Sequence, residues 1–133
     1  MSQENVDKVR AFYDAFNRRD FDDALKYMDP EIELYPGVAG VDVSRRYHGH
    51  EGVRQFFETI TEGFDVTVEP EEMIDAPGDR VLAVEHWYSR GQMQGIEVDM
   101  KLTDVYAFRG GLIVRGDGFR DKAEALEAAG LPG

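Results

Sequence analysis

Cysteine is absent from the 133 residues, which removes disulfides, thiol nucleophiles and thiolate metal sites and leaves the redox compartment open. Positive charge is scarce: 15 Lys and Arg stand against 27 Asp and Glu, a formal net charge of −12. A nucleic-acid partner needs clustered basic residues to neutralise phosphates. Here they are scattered, so none is expected, and the acidity is read as a solubility device. No apolar run approaches bilayer length and the opening "MSQENVDKVR" is polar, so neither a spanning helix nor a signal peptide is predicted and the expected location is the cytoplasm. Phosphate-cradling glycine loops of the common types are missing, and so is a local serine-nucleophile signature. No cofactor is called for.

What is present suffices for one domain with a real core, since 42% of the residues are hydrophobic at a length typical of a single folding unit. Helical signals fill the first half. Val6, Val9, Phe12, Tyr13 and Phe16 recur at helical spacing behind a candidate Ser2 cap, and Phe21, Ala24, Leu25 and Met28 form a second stripe behind Asp20, with Pro30 expected to end it. A short strand "EIELY" and a long glycine-bearing loop precede a third helix carrying Val53, Phe56, Phe57 and Ile60. From Phe64 onward four runs separated by "PGD", "RGQMQG" and "RGG" read as an antiparallel meander, followed by a last helix ending at Gly130. Helices followed by strands predict an α+β fold with helices packed on one strongly bent sheet, occupying residues 1–133 as a single domain.

The sharpest chemical signal lies in the strand from Ile96 to Phe108. Alternate side chains face opposite ways, and Ile96, Val98, Met100, Leu102, Tyr106 and Phe108 share their face with one carboxylate, Asp104. Burial disfavours the charged form, so its pKa is expected to be raised. Asp104 then either anchors a loop by hydrogen bonds or serves proton transfer in a pocket wall. On the preceding strand, Leu82, Val84, His86, Tyr88 and the alternate set Val81, Ala83, Glu85, Trp87 are both partly apolar. The even set is the drier. Facing inward, it would bring His86 toward Asp104 as a proton-moving pair.

The order helix, helix, strand, helix, four-strand meander, with "VRAFYDAFNRRDFDDALKYMDPEIELYPG" and the closing "VYAFRGGLIVRGDGFRDKAEALEAAGL", resembles the nuclear transport factor 2-like superfamily. More narrowly, it resembles the SnoaL-like polyketide cyclase group. The resemblance implies a cone: a curved sheet wrapped around three helices and a deep apolar pocket, with a homodimer formed through the outer sheet face. It implies no single activity, because related folds include ketosteroid isomerase, limonene epoxide hydrolase, cyclases and non-catalytic binding proteins.

Aligning "DVYAF" with ketosteroid isomerase puts Asp104 on that family's proton-donating aspartate, a carboxylic acid kept neutral by an apolar site. The isomerase's tyrosine falls on Phe12, with Tyr13 adjacent, and its base aspartate falls on Tyr35 or Pro36, neither of which is a carboxylate. The hydrolase's last-strand aspartate falls on Gly118, one residue after Asp117. Alternation sets Ile113, Arg115, Asp117 and Phe119 on one face and Val114, Gly116 and Gly118 on the other; the resemblance implies that the second faces the cavity, where two missing side chains would widen the pocket.

"YHGHEG" brings His48, His50 and Glu51 together, but without the helical HExxH spacing or a third ligand it is read as a loop and helix start. The expected function is binding of a small apolar organic molecule in the cone, with cofactor-free isomerase or cyclase chemistry. Asp104 and His86 are its catalytic candidates, and Phe12, Tyr13, Phe16, Tyr35, Phe56, Trp87, Tyr106, Gly116 and Gly118 its ligand-binding candidates. The alternative is a non-catalytic ligand-binding or protein-interaction module.

Overall fold

A computed structural model describes residues 3–37, 46–62, 65–89 and 98–132. The chain runs α1 (Gln3–Asn17), α2 (Phe21–Leu25), β1 (Met28–Tyr35), β2 (Tyr47–His48), α3 (Gly49–Thr61), β3 (Val66–Ala76), β4 (Arg80–Ser89), β5 (Asp99–Arg109), β6 (Leu112–Phe119) and α4 (Lys122–Ala128). The six strands form one unclosed sheet in the order β2-β1-β6-β5-β4-β3. The meander β3 to β6 is antiparallel throughout, and β1 joins it parallel to β6. The α+β reading and the four-strand meander therefore stand. Among the described residues no helix is long and apolar enough to cross a membrane.

Local chemistry explains the boundaries. Asp20 caps α2 by accepting from the Asp23 amide at 3.1 Å, leaving its neighbour Arg19 in the left-handed region at φ 64. Pro30 does not end that helix. The helix stops at Leu25 and Pro30 lies within β1, at an irregular stretch of the β1–β6 pairing between Met28 and Glu33. There a missing N–H costs no ladder bond. Gly130 ends the chain's last helical turn at φ 76. The proposed Ser2 cap, the turn "RGQMQG" and Ile96 lie outside the described residues.

Both faces of the sheet are partly covered, and this decides which side chains reach the interior. On one face α1 and α3 bury Val9, Phe12, Phe16, Phe57, Ile32, Trp87 and Tyr106 in the main core. Asn17 clamps α1 to β3, its amide bonding both the carbonyl and the N–H of Val68 at 2.9 Å. On the opposite face α4 seals a smaller cluster of Ala76, Leu82, Val105, Ala125 and Ala129. Leu82 and Val84 look dry in the sequence because α4 and its neighbours shelter the outer face, so the even set of β4 is an outward set. The inward set is Val81, Ala83, Glu85 and Trp87, all nearly inaccessible to solvent.

The β5–β6 pairing skips Val114: Phe108 pairs with Ile113 but Ala107 with Arg115. This irregularity turns Ile113 into the core, where it is fully buried, and corrects the expectation that it shares a face with Asp117. Asp117 itself points outward, held bidentate by Arg115 at 2.9 and 3.1 Å.

Candidate functional site

Between α1, α3 and the concave face of the sheet lies an apolar cavity lined by Phe12, Tyr13, Phe16, Leu34, Pro36, Gly37, Phe56, Phe57, Ile60, Val68, Trp87, Leu102, Asp104 and Tyr106. The cavity is small, about 40 Å³. The walls are largely aromatic: Phe12 meets Tyr106 edge-on at 5.9 Å, and Phe16 meets Phe57 at 5.3 Å.

Polar atoms converge at one end of this cavity. Asp104, on β5, pairs with Ala83 of β4, and Glu85 stands two residues farther along β4 on the same face. The two carboxyl groups therefore meet as diagonal cross-strand neighbours, close enough for each to shift the other's titration. The Tyr13 hydroxyl from α1 donates to Oε2 of Glu85, and the Trp87 indole N–H donates to Oε1 at 2.7 Å. Tyr13 and Tyr106 hydroxyls lie 2.8 Å apart, and Tyr106 in turn faces Asp104 closely enough for each to shift the other's titration. Glu85, Tyr13, Tyr106 and Asp104 close a ring.

Burial decides where the charge in this ring resides. Glu85 is 0% exposed and does not reach the cavity; desolvation, then the negative charge and hydrogen bond of Asp104, push its pKa well above the usual carboxylate range. Asp104 lines the cavity. Desolvation raises it to about 6, against the hydrogen bonds from Glu85 and Tyr106, which favour its charged form. The pair titrates jointly; burial and mutual repulsion favour one shared proton near neutrality, and the full enclosure of Glu85 favours that proton on Glu85. Tyr13 and Tyr106 are pushed well above the ordinary phenol value, chiefly by desolvation, and remain hydrogen-bond donors.

Of the residues singled out from sequence, Asp104, Phe12, Tyr13, Phe16, Phe56, Trp87 and Tyr106 are brought together around the cavity. His86 is not. It points from the outer face of β4 to Asp99, Nε2 to Oδ1 at 2.7 Å, so the Asp104–His86 pair does not form. Tyr35 also faces outward by strand alternation and packs under the Arg115 guanidinium at 4.6 Å, while its neighbours Leu34, Pro36 and Gly37 line the cavity.

Gly116 and Gly118 face inward but do not widen the pocket. A Cβ at Gly116 would sit 2.8 Å from Leu34 Cδ1 and 3.2 Å from Tyr106 Cδ1, and one at Gly118 would sit 2.4 Å from the Gly37 nitrogen and 2.9 Å from Asp104 Oδ1. The missing side chains are filled by their neighbours, so these glycines position Leu34, Tyr106 and Asp104. His48 and His50 turn to separate partners, Glu31 at 3.0 Å and the Met28 carbonyl at 2.8 Å. The residue missed from sequence is Glu85. Its signal was present, a single carboxylate in the alternating set Val81, Ala83, Glu85, Trp87, and it mirrors that of Asp104.

Comparison with known proteins follows this geometry. The model of the SnoaL-like domain matches residues 9–116. Among solved structures, a protein from a soil-derived mobile gene cassette is 18% identical, with 96% of this chain and 97% of that one covered at a TM-score of 0.80. A nuclear transport factor 2-like protein of Burkholderia pseudomallei is 25% identical over 97% of this chain and 98% of that one, TM-score 0.76. A Mycobacterium tuberculosis protein solved in complex with estradiol-17β-hemisuccinate is 17% identical over 91% of this chain and 95% of that one, TM-score 0.76. No curated protein matches the chain.

Proposed function

We propose, for a chain that belongs to the SnoaL-like family, that its cavity binds a small, mostly apolar organic molecule and that Asp104 moves a proton on that molecule without a cofactor. The observation that carries the reading is Asp104 in the wall of an aromatic cavity with the enclosed Glu85 as its diagonal neighbour. A carboxylate with its pKa near about 6 is matched to proton abstraction close to neutrality. An isolated surface Asp would be too weak a base by roughly 2 units.

The step balances as follows. Asp104 takes a proton from a carbon next to the ligand's carbonyl, and the C–H electron pair moves into the enolate. Protonated Asp104 holds the abstracted proton beside Glu85 and Tyr106, from where it can be returned to the ligand. Return of the proton to a second carbon isomerises the ligand; attack of the enolate on a second carbonyl of the same molecule cyclises it. The relative with a bound estradiol derivative supports a flat polycyclic ligand as the class to try first, and Trp87, the single tryptophan, lies in the cavity wall as an intrinsic reporter.

The test is deuterium exchange at the activated carbon of 2-tetralone in D2O, followed by proton NMR. The reading expects exchange above the buffer rate that falls at least about 100-fold in Asp104→Asn. Exchange at the buffer rate, or equal exchange in the variant, contradicts catalysis and leaves the cavity as a carrier.

A further inference from the structure

We propose that the cavity selects a ligand presenting a hydroxyl group as hydrogen-bond donor to Asp104 from a flat, otherwise apolar body, in preference to an ether, carbonyl or carboxylate at the same place. The inference rests on the cavity-binding reading above and adds which polar group the ligand brings.

The argument is one of donors and acceptors. Every phenol and indole donor in the ring already has an acceptor: Trp87 and Tyr13 donate to Glu85, and the Tyr106 hydroxyl lies 2.8 Å from that of Tyr13. Glu85 is wholly enclosed and keeps the proton, so its only outlet is Asp104. The polar group that faces the cavity with acceptor capacity left is therefore the Asp104 carboxylate, with about four lone-pair sites and two ring donors. A ligand hydroxyl fits that surplus. An ether or carbonyl brings one more acceptor to a site with no free donor and stays unpaired in a desolvated pocket, and a carboxylate adds like charge.

The surroundings allow no other ion to reverse this choice. The groups facing Asp104 are Tyr13 from α1, Glu85 from β4 and Tyr106 from β5; α3 contributes Phe56, Phe57 and Ile60 to the cavity. From β6, Asp117 acts on Asp104 only as a further negative charge, and it is spoken for by Arg115. No cation lines the cavity among the described residues. The small free volume and aromatic walls select a thin ring system. An enol is a hydroxyl ligand of this kind and its parent ketone is not, so the same preference would favour the enol form over the bound ketone.

Calorimetric titration of the whole chain at pH 7.5 with 2-naphthol, 2-methoxynaphthalene and 2-naphthoate tests the inference. The expected order is 2-naphthol tightest, at least about tenfold over the ether, as a hydrogen bond to a charged group implies, with 2-naphthoate weakest. At pH 5, where Asp104 is protonated and itself a donor, the gap between naphthol and ether closes severalfold; this arm needs no variant. Asp104→Asn, whose amide offers both a donor and an acceptor, is expected to lose the preference at pH 7.5. Equal affinities for naphthol and ether at pH 7.5, or a gap that widens on acidification, overturn the hydroxyl preference while leaving cavity binding intact. Failure of all three probes to bind removes the cavity reading and this inference with it.

Discussion

Glu85 and Asp104 lie on adjacent strands as diagonal neighbours, one sealed from solvent and the other open to the cavity. Two carboxyl groups this close in an apolar site do not both ionise. The one with an outlet takes the charge, and the sealed one becomes a held proton.

Stability should therefore rise on mild acidification. A carboxyl whose folded pKa is raised binds its proton more tightly in the folded chain, so its contribution is complete below the unfolded value and is lost as pH rises through the folded one. For Asp104 that window runs from the ordinary aspartate value of 3.8 to about 6 and corresponds to at most about 3 kcal/mol; Glu85 extends the loss to higher pH. Urea unfolding should show greater stability at pH 5.5 than at pH 7.5, with a smaller difference in Asp104→Asn and in Glu85→Gln. The half-buried Asp23 and the exposed Glu71, held low by hydrogen bonds from Lys26 and Lys101, act in the opposite sense. Their contributions fade only below the ordinary carboxylate range.

Replacing Glu85 separates polarity from proton content. Glu85→Gln keeps a neutral group that donates to Asp104 and accepts from Trp87, and Tyr13 can redirect its proton to Tyr106, so little stability is lost at pH 7.5. Glu85→Ala leaves the Trp87 N–H unpaired in a void and should cost about 2–4 kcal/mol. The two variants compared by chemical denaturation decide the matter.

Tyr106→Phe removes a donor that favours the ionised form of Asp104. The Asp104 midpoint should move upward from about 6, and carboxyl-carbon NMR of the variant would register the direction. A downward shift would mean that Tyr106 accepts from Asp104 in the resting state.

Gly118→Ala places a Cβ 2.4 Å from the Gly37 nitrogen, closer than backbone atoms tolerate. Either β6 or the segment carrying Gly37 must shift, at a cost of about 1–3 kcal/mol. Since the same Cβ also presses on Asp104 Oδ1 at 2.9 Å, thermal unfolding and the pH dependence of Trp87 fluorescence should change together.

Much of this architecture could be read from the chain, because α1 and α3 carry clean helical stripes and the turns of the meander carry glycine. Asp104 was visible for the same reason: a single carboxylate in an apolar alternation stands out. Its partner did not stand out, because α4 covers the outer face of β4 and gives both faces of that strand apolar residues, which hid Glu85 and promoted His86. The skipped residue at Val114 and the close approach of Gly37 to Gly118 were likewise invisible, since both depend on backbone register and not on residue pattern. Alternation alone made those glycines an opening in the wall, whereas packing makes them a support for the acid.

The most direct measurement is a carboxyl-carbon NMR titration of the selectively labelled chain, following Asp104 and Glu85 separately from pH 4 to 9. The account predicts that Asp104 loses its proton around about 6 while Glu85 stays protonated through that step. An Asp104 midpoint at an ordinary aspartate value, or ionisation of Glu85 before Asp104, would contradict it.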